Sequence, residues 1–167
     1  MNRSVRSSAF ALSRMGMAVF AGLSVWSAIG CEGVSDRDIR PLTIAEARRI
    51  YDDASRPGNS GALAIIDPRS PREFNAGHIP GARNLRLSDF PSDAPFDERL
   101  ASHDVILVYG NNPASAPAKA MTKRLIAGGY EGVRLMPGGL EEWERAGGPV
   151  ERPQAPATPA GDAPPSN

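Results

Sequence analysis

The chain of 167 residues predicts an α/β domain built on a mainly parallel sheet, and three observations carry that expectation. Strand-like and helix-like segments alternate along its middle, the pattern that lays helices against a parallel sheet. The strand-like segments are continuous apolar runs, as strands buried on both faces require. These signals are confined to residues 41–150, about the length of one small domain.

The first helix opens at Thr43-Ile44-Ala45-Glu46, a capping-box pattern, and Ala47, Ile50 and Tyr51 follow at helical spacing. Arg56-Pro57-Gly58-Asn59-Ser60-Gly61 is a loop. Leu63-Ala64-Ile65-Ile66 is the first strand. Ser70-Pro71-Arg72-Glu73 restarts a helix with a second capping box and Pro in its first turn. The apolar run from Val105 to Tyr109 is the next strong strand, and the loop from Gly110 to Ser115 leads into a helix. Ala118, Met121, Thr122 and Leu125 share one face of that helix, Lys119, Lys123 and Arg124 lie towards the other, and Gly128-Gly129 ends it. A strand over Val133 to Met136 precedes Gly138-Gly139 and a short helix through Trp143.

Residues 1–30 carry Arg3, Arg6 and Arg14, no acidic residue, and from position 15 an apolar stretch of 16 residues. A basic start, an apolar centre and small residues at the exit describe a secretory signal peptide. The stretch is shorter than the roughly 20 residues of a comfortable membrane span. Its exit, Ala28-Ile29-Gly30-Cys31, resembles the lipobox of bacterial lipoproteins, with Ala28 where that family prefers Leu. The resemblance implies cleavage before Cys31, diacylglycerol on its sulfur, and acylation (palmitate) of the new N-terminus. Two or three acyl chains anchor stably, whereas one is marginal. The alternatives are ordinary cleavage that leaves a free thiol, and an uncleaved anchor. Glu32 stands where Asp would signal retention at the inner membrane. The expected location is therefore the bacterial cell envelope, lipid-anchored and facing the periplasm, with the outer membrane favoured and export as the other outcome. Residues 31–40 follow as a tether. Residues 151–167, rich in Pro and Ala and without apolar periodicity, form a disordered tail.

The chain has 19 basic and 19 acidic residues; three of the basic ones lie in the first thirty, so the remainder carries 16 against 19, a net of −3. Its arginines are scattered among acidic neighbours, which excludes a nucleic-acid footprint. One cysteine and two histidines give no metal-ligand pattern, and neither a metal nor another cofactor is expected.

Ile66-Asp67-Pro68-Arg69, Glu73-Phe74 and Gly77-His78-Ile79-Pro80-Gly81-Ala82 form one run of motifs. The strand ending at Tyr109, a loop into a helix, Gly129-Tyr130, Gly138-Gly139-Leu140-Glu141-Glu142-Trp143 and Gly148-Pro149-Val150 follow. Together, in order and spacing, they resemble a rhodanese domain over nearly all of residues 41–150. The resemblance implies a three-layer fold with a twisted, five-stranded, mainly parallel sheet and helices on both faces. Most of these residues read as scaffold. Asp67, Arg69 and Glu73 suit an ionic and hydrogen-bonded frame that locks the first strand to the next helix. Gly81 belongs to a turn that needs positive φ or close backbone approach. His78 is structural in that family, Gly138 and Gly139 open the last helix, and Trp143 fills core space. His103 is expected at the surface.

In active relatives the loop after the strand ending here at Tyr109 begins with Cys and carries Arg after four residues. Its inward-pointing amides, at a helix N-terminus, lower the thiol pKa and hold an anion while the Cys carries sulfane sulfur as a persulfide. Here the loop reads Gly110-Asn111-Asn112-Pro113-Ala114-Ser115, with Gly110 in the place of Cys and Ser115 in that of Arg. No catalytic residue is assigned to it. Ser115 as an oxygen nucleophile lacks an adjacent base; the competing expectation is that it caps the following helix, whose first turn contains Pro117. The remaining reading is a pseudoenzyme, a binding or scaffold module for an unidentified envelope protein or small anion. The backbone amides of Asn111, Asn112, Ala114, Ser115 and Ala116 would bind weakly at the carboxyl end of a parallel strand, with Asn111 and Asn112 as side-chain donors. Family analogy alone implies the alternative, a thiosulfate-type sulfurtransferase.

Overall fold

The apolar runs assemble side by side in a computed structural model that describes residues 33–59 and 61–152. The expected signal peptide, Cys31, Ser60 and residues 153–167 lie outside the described residues. Strands β1 (Leu63–Asp67), β2 (Ala82–Asn84), β3 (Val105–Tyr109) and β4 (Val133–Met136) form one sheet in the order β2-β1-β3-β4. All pairings are parallel, with Ile65 opposite both Ala82 and Leu107, and Leu107 opposite Arg134. Helices α1 (Ile44–Ala54), α2 (Pro71–Ala76), α3 (Glu98–Ala101), α4 (Ala116–Ala127) and α5 (Gly139–Arg145) complete the fold. No helix among the described residues is long and apolar enough to cross a membrane.

The capping boxes set two helix starts. Thr43 accepts from the Glu46 amide while Glu46 accepts from that of Thr43, and Ser70 and Glu73 repeat the exchange at α2. Within the continuous apolar runs a period of two becomes visible. Ala64, Ile66, Ile106, Val108, Val133 and Leu135 face one way, against Ala118, Met121 and Leu125 of α4 and Leu100 of α3. Ile65, Leu107, Tyr109 and Met136 face the other, against Ala47 of α1, Ile79 and Trp143 of α5. Helices thus cover both faces, the arrangement that buries a parallel sheet.

Among the described residues four of the five expected strands are present. At the free edge of β4 the fifth place is held by a single parallel bridge between Pro41 and Leu135. The Leu42 amide donates to Leu135 O at 2.7 Å, and the Leu135 amide donates to Arg40 O at 3.1 Å. Pro41 itself has no N–H to extend the ladder.

The boundaries of the folded body are wider than expected. The supposed tether is docked from Ser35 onward: Ser35 caps a 3-10 turn over Asp36–Asp38, Asp36 pairs with Lys123 of α4, and Ile39 packs on the core. At the other end Glu151, assigned to the tail, exchanges two backbone hydrogen bonds with His78, at 2.8 and 2.9 Å. Arg152 pairs with Glu144 at 2.5 Å.

Candidate functional site

The strand order reverses direction between β1 and β3, because the chain steps outward to β2 and returns across β1. Open α/β sheets bind ligands in the crevice at the carboxyl ends of such strands. Asp67 to Glu73 leave β1 at that crevice, and the loop from Gly110 leaves β3.

Arg69 organises the crevice. Its Nε donates to Asp67 Oδ1 at 2.9 Å and its Nη2 to Asp67 Oδ2 at 2.5 Å, a two-pronged pair. Nη2 also donates to Gly77 O and Nη1 to Asn111 Oδ1, each at 2.8 Å. Its guanidinium lies 5.5 Å from the Tyr109 ring centre. Burial opposes the Arg69 charge, but hydrogen bonds and charge from Asp67 more than offset it and hold the guanidinium pKa above its usual value. Asn84 Nδ2 ties the same segment by donating to Asp67 O and Arg69 O, both at 2.9 Å.

Asn111 closes the frame. Its Nδ2 donates to Glu73 Oε1 at 2.6 Å, while Glu73 Oε2 accepts from Ser70 Oγ at 2.5 Å and from the Ser70 amide. The Ser70 hydroxyl first, then Asn111, hold the Glu73 carboxyl below its ordinary range. With Asp67 and Arg69 paired, Glu73 leaves this cluster one net negative charge. The cavity it borders is about 360 Å³ and includes Arg69, Glu73, Asn112, Ser115 and Pro117 in its lining.

Three expectations about the loop change. Ser115 occupies the N-cap position of α4, but its side chain makes no capping hydrogen bond. It points back over Gly110: a Cβ built on Gly110 would overlap Ser115 Oγ and Cβ and stand 3.2 Å from Ala118 Cβ. The free space beside Gly110 is about 10 Å³, the lower limit for one water molecule. One N–H of each Asn side chain is committed, since Asn111 Nδ2 serves Glu73 and Asn112 Nδ2 reaches Glu141 Oε1 at 3.2 Å. Of the five candidate amides, that of Ala114 donates to Asn112 Oδ1 and that of Ser115 to Asn112 O. Those of Asn111, Asn112 and Ala116 have no acceptor among the described residues. No histidine lines the cavity, and the Glu73 carboxylate beside Ser115 is already hydrogen-bonded and hard to protonate, a poor base.

The remaining motif residues lie around this frame. His78 is buried, stacks on Phe74 with ring centres 3.8 Å apart, and places Nδ1 3.0 Å from Phe74 O. Gly81 adopts φ +81°. Gly138 is the N-cap of α5, and Gly139 follows with φ +63°, where a Cβ would come within 2.5 Å of the Asn111 carbonyl carbon. That approach lets the Leu140 and Glu141 amides donate to Gly110 O and Asn111 O at 2.8 and 3.0 Å. Trp143 is fully buried and its Nε1 donates to Pro149 O at 2.9 Å. His103 is half-buried, with Nδ1 3.3 Å from Leu100 O. Among the described residues no group of three or more His, Cys, Asp or Glu side chains is placed to hold a metal ion. Sequence reasoning missed Asn84, Tyr109 and the bridging role of Asn111. Tyr109 and Asn84 carried one usable signal, a polar group at the carboxyl end of a strand.

A family model of the rhodanese-like domain matches residues 51–146. The chain is 33% identical over 114 residues to the thiosulfate sulfurtransferase GlpE of Ectopseudomonas mendocina, covering 66% of this chain and 96% of that protein. It is 38% identical over 93 residues to the thiosulfate sulfurtransferase GlpE of Pseudomonas putida, covering 54% of this chain and 76% of that one. Among solved structures, the rhodanese-like domain of the Alr3790 protein of Anabaena superposes with a TM-score of 0.51 at 27% identity, covering 76% of this chain and 89% of that one.

Proposed function

The chain belongs to the rhodanese-like domain family, and on that premise we propose that it is an envelope-anchored pseudoenzyme, a binding module without persulfide chemistry. The observation that carries this reading is the filled cradle at Gly110. The sequence has one cysteine, Cys31, 79 positions before Gly110, and the volume a side chain at position 110 would need is taken by Ser115. A thiolate nucleophile has neither a residue nor a space there.

The crevice retains three unpaired amides, but the Glu73 carboxylate beside them opposes anions. The module therefore favours a neutral polar ligand or a partner segment that presents a donor to Glu73, and binds thiosulfate, sulfate or phosphate weakly at most. Cys31 carries the lipid that holds the protein at the bacterial envelope, facing the periplasm, with the outer membrane favoured by Glu32.

The similarity to two thiosulfate sulfurtransferases supports a second reading, sulfur transfer from thiosulfate. Assay of thiosulfate:cyanide transfer by the full chain with Cys31→Ser separates the two. The expected rate is that of the protein-free control, and turnover above it would sink the pseudoenzyme reading. Proximity labelling from the anchored protein in intact cells identifies the partner.

A further inference from the structure

A second cavity, of about 570 Å³, lies at the opposite edge of the sheet. Its lining includes Arg37, Asp38, Arg40, Tyr130, Glu131 and Arg134. Glu131 and Gly132 immediately precede β4, and residues 33–40 run into the parallel bridge at Pro41, so this cavity sits at the amino edge. Loop 110–116 follows β3 and sits at the carboxyl edge.

Around this cavity Arg37, Arg40 and Arg134 stand against Asp38 and Glu131, a net of +1. Asp36 pairs with Lys123, and Asp38 accepts from the Ser35 amide and hydroxyl at 2.7 and 2.9 Å. Arg37 and Arg40 are exposed and form no ion pair among the described residues. Phe96, 54% exposed and the one exposed large hydrophobic residue among those described, adjoins this cavity through Tyr130. Its ring stacks on that of Tyr130 at 4.7 Å. Basic side chains beside an exposed aromatic ring match the chemistry of an anionic bilayer surface, where phosphates meet the acyl boundary.

The chain's connectivity selects that partner. Cys31 precedes the docked residue Ser35 by four positions, a reach of at most about 14 Å. We propose that the amino edge is a membrane-docking face, with Arg37, Arg40 and Arg134 on phospholipid phosphates and Phe96 at the headgroup boundary. Loop 110–116 then faces away from the bilayer. The inference rests on the lipid anchor at Cys31 proposed above.

The full-length acylated protein tests it, because an acylated Cys31 leaves only an introduced thiol to label. A fluorophore is placed through Ser102→Cys, just before β3, or through Ala114→Cys in the loop. The protein is reconstituted into vesicles of phosphatidylcholine with phosphatidylglycerol that carry a headgroup quencher. The label at position 102 is expected to be quenched severalfold more than that at 114. Arg37→Glu with Arg40→Glu, or omission of phosphatidylglycerol, should narrow the difference. Vesicle flotation is read in parallel. Protein that floats but shows equal quenching at the two positions, or stronger quenching at 114, overturns docking and leaves the anchor standing. Protein that does not float overturns the anchor, and docking with it.

Discussion

Gly110 and Ser115 are complementary in volume, and their substitutions are expected to couple. Gly110→Ala forces a Cβ into Ser115, an overpacking worth about 1–3 kcal/mol, read as a lower urea midpoint. Adding Ser115→Gly should recover part of that loss; strictly additive effects would show that the two side chains do not share the space. Pairing Gly110→Cys with Ser115→Arg keeps a Cβ at position 115 and meets the same overlap, so a reactive loop needs a different backbone. Glu73 gives a pH signature. Its folded pKa lies below the ordinary 4.5, so its contribution is fully present above that pH and is lost as the pH falls through the folded value. The urea midpoint should therefore drop on acidification below about 4.5, and Glu73→Gln should flatten that drop while lowering the midpoint at neutral pH. The Ser70–Glu73 half of this arrangement is legible in the sequence because its partners are three residues apart. The Asn111 half is not, since it joins residues 38 and 42 positions distant.

The strands and the long helix were legible for a related reason. An apolar run or a helical stripe is a local record of a buried face, and Ala118, Met121, Thr122 and Leu125 are all buried on α4. The two ends of the folded body carry no such record. Residues 35–40 and 151–152 are polar apart from Ile39, and they attach to segments remote in sequence through the Asp36–Lys123 and Arg152–Glu144 pairs and the backbone of Arg40 and Glu151, so composition assigned them to linkers. The bridge between His78 and Glu151 distinguishes backbone from side chain. The Glu151 carboxylate is 60% exposed and 3.6 Å from His78 Nε2, so Glu151→Ala should change stability by under about 1 kcal/mol. Glu151→Pro removes the amide that donates to His78 O at 2.8 Å, and should cost about 1–3 kcal/mol because that buried carbonyl loses its partner. Equal urea midpoints for the two variants would show that the bridge is idle.

The parallel topology gives the domain two chemically different edges. Chain reversal between β1 and β3 creates a crevice at the carboxyl edge, while the route into Pro41 brings the N-terminal segment to the amino edge. The alternation of segments predicted the parallel sheet, but the order β2-β1-β3-β4 depends on which strand returns beside β1, a choice made by packing across many residues. That order also exposes two borders of the sheet. One is β2, only three residues long, and the other is β4, roofed by Arg40 to Leu42 with Pro41 at the bridge. Open strand borders invite another chain to add its own strand, and shortness and proline are two ways of blunting them. Copies crowded together on a two-dimensional surface would meet border to border far more often than copies in solution. A sheet finished in this way can be held at high local density without zipping into its neighbours.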